Sequence, residues 1–198
     1  MTHFRAATIL LSTVLACASA SAATLNFETL GSVEWKPAFL GIDGAFIQGA
    51  STNLFTIAND PQLQLLPGAG GAICSAFRPD DDTLSCAADM QITFKTAVSN
   101  LSLQTFGYDP GDSVTISAYA GNSLLNSQIA AGDKVVDFST LSGVTKLVFD
   151  DQSSASGFAF GKFSFTSLTS PVPEPATGML MLLGVAALGQ FARQRRAS

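Results

Sequence analysis

Few side chains in this sequence have the chemistry of a catalytic or metal-binding group. The one histidine, His3, lies in an N-terminal segment that we expect to be removed, so no histidine-based triad or imidazole metal ligand can form. The stretch Gly68-Ala69-Gly70-Gly71 lacks the Lys-Ser/Thr that follows a phosphate-binding loop. We therefore predict that the chain is not an enzyme, with a hydrolase that uses only carboxylates as the formal alternative.

Cys74 and Cys86 are the two cysteines outside that N-terminal segment. Their spacing does not fit CxxC redox chemistry, and two thiols without a histidine cannot complete a zinc site. In an oxidising compartment two such cysteines are expected to join. We predict a Cys74–Cys86 disulfide, which contributes about 3 kcal/mol on the chain-entropy model.

Three consecutive carboxylates, Asp80-Asp81-Asp82, lie between the two cysteines. Calcium binds several oxygen ligands at once, but this run lacks the alternation and the glycine of an EF-hand loop. Two interpretations therefore stay open, a weak calcium site and a solvated acidic turn. The same two interpretations apply to Asp150-Asp151 and to Asp109 with Asp112.

The composition favours an extracellular β-protein and excludes nucleic acid as a partner. The chain is 47% hydrophobic and 13% charged, against about 25% charged in a typical soluble domain. Its net charge is −5, and four of its ten basic residues lie in the terminal segments. The central domain is therefore more acidic still, and such a surface repels phosphates.

Residues 24–170 carry short alternating or apolar runs separated by turn residues, which predicts one all-β domain of the β-sandwich or jelly-roll type. Turns are predicted at Asp109-Pro110-Gly111-Asp112 and Ala120-Gly121-Asn122-Ser123. A bulge is predicted at Gly161 and Lys162. The predicted strands are 24–27, 45–47, 55–58, 90–94, 98–106, 114–120, 123–129, 135–137, 146–149 and 158–166. The last strand is expected to supply four core residues, Phe158, Phe160, Phe163 and Phe165.

Residues 1–23 have the three parts of a secretory signal peptide. Arg5 gives a positive start, residues 6–16 are apolar but too short to span a bilayer, and small residues follow. The sequence leading to Cys17 resembles a lipobox, which leaves lipidation of that cysteine as an alternative. Small side chains fit signal peptidase, and the expected cleavage positions follow Ala20, Ala22 or Ala23.

The C-terminal segment 171–198 also has three parts. Its prolines hold an extended, exposed segment around Glu174. The apolar run 176–192 then predicts a transmembrane helix. A basic cluster marks the cytoplasmic end of that helix and leaves the domain outside the inner membrane. The basic residues are Arg193, Arg195 and Arg196.

Pro173-Glu174-Pro175, the apolar run and the arginine cluster together resemble the PEP-CTERM sorting signal of Gram-negative bacteria. The resemblance implies that Pro173, Glu174 and Pro175 are recognised by exosortase, a membrane cysteine protease-transpeptidase. It also implies that the protein is tethered at the inner membrane during sorting. The expected destination is the cell surface or the exopolysaccharide matrix of a biofilm.

The segment 90–166 is similar to the jelly-roll domains that often accompany this tail, and through them to carbohydrate-binding modules. In those modules an early acid and a late Asp-Asn pair hold a structural calcium. Glu28 matches the early acid. Gly161 and Lys162 stand where the family often has Asp-Asn, and a lysine ammonium there would repel a cation.

We expect a structural or adhesive surface protein that requires no cofactor. The alternative is a protein similar to a carbohydrate-binding module, which retains exopolysaccharide and uses calcium. Flat amphipathic rings pack on glycan faces, and Trp35, Tyr108 and Tyr119 are the candidates for such a platform. Core packing is expected for two of the three, and Trp35 is the residue to test.

Overall fold

The structure is a computed structural model, and it describes residues 21–30, 34–58, 68–77, 85–107, 109–153 and 157–168. These residues form ten β-strands and one 3₁₀ turn, with no α-helix among them. The predicted all-β class is confirmed. The elements are β1 (Ser21–Thr24), the 3₁₀ turn (Phe27–Leu30), β2 (Glu34–Ile42), β3 (Ala45–Ile57), β4 (Ala72–Phe77), β5 (Ser85–Ala88), β6 (Met90–Gly107), β7 (Ser113–Ala120), β8 (Ser123–Ala131), β9 (Lys134–Asp151) and β10 (Phe158–Ser167).

The ten strands belong to one hydrogen-bonded sheet with antiparallel pairing throughout. The strand order is β1-β10-β4-β3-β6-β9-β7-β8, and β10 also pairs with β6. β2 joins the sheet through β3, and β5 joins it through β4. These pairings do not show the two separate sheets of a sandwich or jelly roll. That part of the predicted fold class therefore stays a prediction.

β6 and β9 are long strands, each of which the sequence predicted as two shorter ones. In β6, buried Leu101 and Leu103 alternate with half-buried Ser102 and Gln104, as in a half-buried strand. The alternation stops at exposed Lys95, and the register between β6 and β9 shifts in the same region. The irregularity interrupts the sequence pattern without ending the strand.

The predicted aromatic core of β10 is confirmed. Its four phenylalanines are at most 3% exposed, and the ring of Phe160 lies 4.4 Å from that of Phe149. The predicted bulge is also present, because the pairing with β6 shifts after Gly161 and Lys162 has a φ of +50°. A Cβ on Gly161 would lie 2.5 Å from the carbonyl oxygen of Gly71, so glycine permits this close approach.

Both predicted turns are confirmed as well. Gly121 and Asn122 connect β7 to β8 in a tight hairpin. In the turn before β7, the N–H of Asp112 donates to the carbonyl of Asp109 over 3.4 Å, and Gly111 has a φ of +96°. These local signals depend on one or two residues, which is why the sequence alone locates them.

Residues Ala20–Thr169 form one compact unit. Within it, β1 pairs with the end of β10, from Ser21 opposite Ser167 to Thr24 opposite Ser164. Most of the predicted signal peptide and all of the predicted membrane helix at 176–192 lie outside the described residues. Among the residues that are described, no helix has the length and apolar character needed to cross a membrane.

Candidate functional sites

The Cys74–Cys86 disulfide is present, as predicted. β4 and β5 carry the two cysteines side by side, with Cα atoms 5.5 Å apart. Cys74 is completely buried, and Cys86 is only 3% exposed. They belong to a second, smaller core on the other face of β6, whose further members are Phe55, Ile57, Ala72, Ala76, Phe106 and Ala159.

Glu28, the candidate early acid of a calcium site, contacts the glycine-rich stretch that begins at Gly68. Its two carboxylate oxygens accept from the N–H of Gly68, at 2.9 and 3.1 Å, so the side chain holds the glycine-rich stretch against the 3₁₀ turn. Lys162 lines the same cavity as Gly68. Among the described residues, no group of three or more His, Cys, Asp or Glu side chains could hold a metal ion. Asp80, Asp81 and Asp82 lie outside the described residues.

A group of acids lies where β7 begins and β9 ends. Asp112 and Asp151 each have one buried carboxylate oxygen without a hydrogen-bond partner. Burial raises the pKa of Asp151 above its ordinary value, and the charge of Asp112 adds to this effect. Hydrogen bonds from the side chain and the N–H of Ser153 and from the backbone of Phe158 act in the opposite direction and lower that pKa. The sequence showed these acids only as two separate pairs.

Four polar side chains and one valine form a line across five neighbouring strands on the outer face of the sheet. Gln91 donates to Gln48 over 3.0 Å, and the hydroxyls of Ser117 and Ser127 are also 3.0 Å apart. A cavity of about 210 Å³ opens beside the two glutamines. We call this line the polar row, and in register order it consists of Gln48, Gln91, Val148, Ser117 and Ser127.

The aromatic candidates are placed unequally. Tyr119 is half-buried on the same face as the polar row, and the Nζ of Lys146 lies 4.7 Å from the centre of its ring. The backbone of Trp35 lies in β2 opposite Phe55, but its side chain, like the whole of Tyr108, is outside the description. The sequence did not predict the polar row, because no local pattern shows which distant strands become neighbours in the sheet.

The sorting residues lie beyond Leu168, outside the described part of the chain, so the sequence of the tail identifies them. A family model of the PEP-CTERM protein-sorting motif matches residues 171–196. The chain carries a PEP-CTERM sorting signal. No curated protein matches the chain significantly.

The matched motif includes the predicted recognition residues, Pro173, Glu174 and Pro175, and the arginines up to Arg196. The motif implies export, recognition by exosortase and sorting in association with a membrane. It assigns no activity to the β-domain. The chemistry of the domain must therefore be argued from the groups described above.

Proposed function

We propose that this PEP-CTERM protein is a structural or adhesive component of the surface or extracellular matrix of a Gram-negative bacterium. The observation that carries the proposal is the sorting motif at 171–196. Two features of the domain support it. The buried Cys74–Cys86 disulfide suits an oxidising compartment outside the cytoplasm. An all-β domain with few charges is also suited to a structural role, and nothing in the motif requires it to be catalytic.

Each part of the tail has a physical task in this proposal. Because proline fixes φ and lacks an N–H, the proline-bounded segment around Glu174 is expected to be extended. It can enter the cleft of exosortase without unfolding the domain. The apolar residues 176–192 would hold it at the membrane while Arg193, Arg195 and Arg196 stay on the cytoplasmic side. Signal peptidase would release the N-terminus on the opposite side.

The test is to follow the full chain in its host with and without the exosortase gene. We expect Pro173→Ala and Glu174→Ala to cause retention in the inner membrane with an unprocessed C-terminus, as loss of exosortase does. Ser170→Ala, just before the motif, is the matched control and should be sorted normally. Mass spectrometry of the mature C-terminus and cell fractionation are the readouts. Normal sorting of the Pro173 and Glu174 variants would contradict the proposal.

A second candidate function is the retention of exopolysaccharide, and the polar row favours it. Amide and hydroxyl groups form hydrogen bonds of the kind that a neutral glycan offers, and Asp89 also lines the cavity beside Gln48 and Gln91. The ring of Tyr119 adds an aromatic surface on the same face. Such a face could bind a polysaccharide chain that lies across the strands.

A glycan array with and without EDTA separates this candidate from a purely structural role. We expect glycan binding to be weakened by Gln48→Ala, by Gln91→Ala and, if its side chain joins the platform, by Trp35→Ala. Ser142→Ala, an exposed change elsewhere on β9, is the control. An array without reproducible binding would leave the structural role, whereas hydrolysis of any glycan would restore the hydrolase alternative.

A further inference from the structure

Four of the described strands pair with one neighbouring strand only, namely β1, β2, β5 and β8. The outer edge of such a strand presents backbone N–H and C=O groups to which a further strand can bind. Proteins usually protect these edges by keeping the strand short or by placing prolines and charged side chains on it. An edge strand without such protection is therefore a candidate for pairing with another chain.

Three of these strands are protected in this way, and β8 is not. β1 and β5 have four residues each, and β2 contains Glu34, Lys36 and Pro37. β8 has nine residues, and its sequence SLLNSQIAA contains neither a charge nor a proline. Its register with β7 shifts once, at Leu125, and then runs without a break from Asn126 to the end of the strand. The outer edge of β8 is thus long, uncharged and mostly regular.

β8 also carries apolar side chains that the domain leaves in solvent. Leu124, Leu125 and Ile129 are 57%, 38% and 66% exposed, and they are three of the five exposed large apolar side chains in the described ranges. The Ile129 carbonyl accepts from the Nζ of Lys134 over 3.3 Å, and a strand can displace such a flexible side chain. Exposed apolar side chains along an unprotected edge are typical of a surface that another strand covers.

We propose that β8 pairs with β8 of a second copy of this chain, so that the two sheets join edge to edge around a two-fold axis. Such an axis makes the two strands antiparallel. If it passes beside Ser127, the middle residue of β8, all nine residues of each strand have a partner. Leu125 of one copy then lies opposite Ile129 of the other, with their Cβ atoms about 5 Å apart. This pairing does not depend on the function proposed above.

Charge and symmetry favour a second copy as the occupant of this edge. The chain has a net charge of −5, so two copies repel each other on average. Along β8 they can meet without bringing like charges together, because the strand is uncharged. Each copy also supplies the free edge that the other needs. The apolar positions match by symmetry, because Leu125 and Ile129 exchange places across the axis.

The test is analytical ultracentrifugation of the full chain in a mild detergent over a range of concentrations. We expect an equilibrium between monomer and dimer in the wild type. Ile129→Lys and Leu125→Glu each place two charges in the interface and should weaken dimerisation by about tenfold or more. Leu168→Lys, at an apolar site that is 43% exposed and lies outside β8, is the matched control and should dimerise like the wild type.

A mixing experiment tests the register. An equimolar mixture of Ile129→Lys and Leu125→Glu chains should dimerise better than either variant alone, because the introduced opposite charges then face each other. Both variants should melt within about 2 °C of the wild type when dilute, since both sites are exposed, which distinguishes lost pairing from misfolding. A wild type that stays monomeric would overturn the proposal. So would undiminished dimerisation of the two variants, or a mixture that dimerises no better than they do.

Discussion

The Cys74–Cys86 disulfide offers the most quantitative prediction, because its contribution can be divided into two parts. Its cysteines are 12 residues apart, and closing such a loop in the unfolded chain contributes about 3 kcal/mol on the chain-entropy model. The second part is packing. Both sulfurs are buried in the smaller core beside Phe55 and Phe106, so truncation of the cysteines would also leave a cavity.

The two parts can be measured with three samples of the full chain, namely the oxidised wild type, the reduced wild type and the double variant Cys74→Ala/Cys86→Ala. The oxidised and reduced samples have the same side chains, so the loss on reduction should be about 3 kcal/mol, or about 6–12 °C in melting temperature. The double variant should lose a further amount on the order of 1 kcal/mol, from the two missing sulfurs.

The assay is denaturant unfolding followed by circular dichroism, with reduction carried out on the unfolded chain because the native bond is buried. Two results would refute the reasoning. Equal unfolding midpoints for the oxidised and reduced samples would show that the crosslink does not restrict the unfolded chain. Equal stability of the reduced wild type and the double variant would show that the sulfurs do not contribute to packing.

Three further predictions concern the described domain. Gly157→Ala should destabilise the fold by more than about 2 kcal/mol in denaturant unfolding, because the new Cβ would lie 2.5 Å from the backbone nitrogen of Ala87. The control is Gly143→Ala, where φ is similar but no atom lies within 4 Å of the new Cβ. This control should cost only about 1–2 kcal/mol. Phe160→Ala should lower the free energy of unfolding by about 3–5 kcal/mol. Leu124→Ala, at a site that is 57% exposed, should change it by no more than about 0.5 kcal/mol. Equal losses would contradict the assigned core. Hydrogen bonds from Ser139 lower the pKa of Asp137, so NMR titration should find the Asp137 pKa below the ordinary aspartate value and closer to that value in Ser139→Ala. The stabilisation from the ionised Asp137 should be present above the ordinary aspartate pKa. It should disappear as the pH falls through the lowered pKa of the folded state.

Features that the sequence predicted correctly depend on a few neighbouring residues. The β7–β8 hairpin follows from Gly121-Asn122, the bulge from Gly161-Lys162, and the disulfide from two cysteines in an exported chain. Each of these signals restricts the backbone or the chemistry locally. The sorting tail is of the same kind, because the order of its parts lies along one short stretch of sequence.

The strands that the sequence did not predict have a different physical origin. β2 contains Pro37, which is unfavourable inside a sheet, but among the described residues β2 pairs only with β3 and its register shifts after that proline. The described side chains of β4 are buried without alternation, so the pattern that normally reveals a half-buried strand is absent. The polar row and the Asp112–Asp151 group depend on pairings between distant strands, which local patterns do not contain.

The position of β10 has a mechanical consequence. This strand is the last described element before the sorting tail, and it is hydrogen-bonded along one edge by β6 and along the other by β1 and β4. A pull along the axis of β10 would act at right angles to its antiparallel hydrogen bonds. Under such a pull the hydrogen bonds would be loaded at the same time and would resist sliding of the strand, instead of opening one after another. If the domain is held through its C-terminal end in a moving fluid, the strand nearest to that end is one that is hydrogen-bonded along both edges.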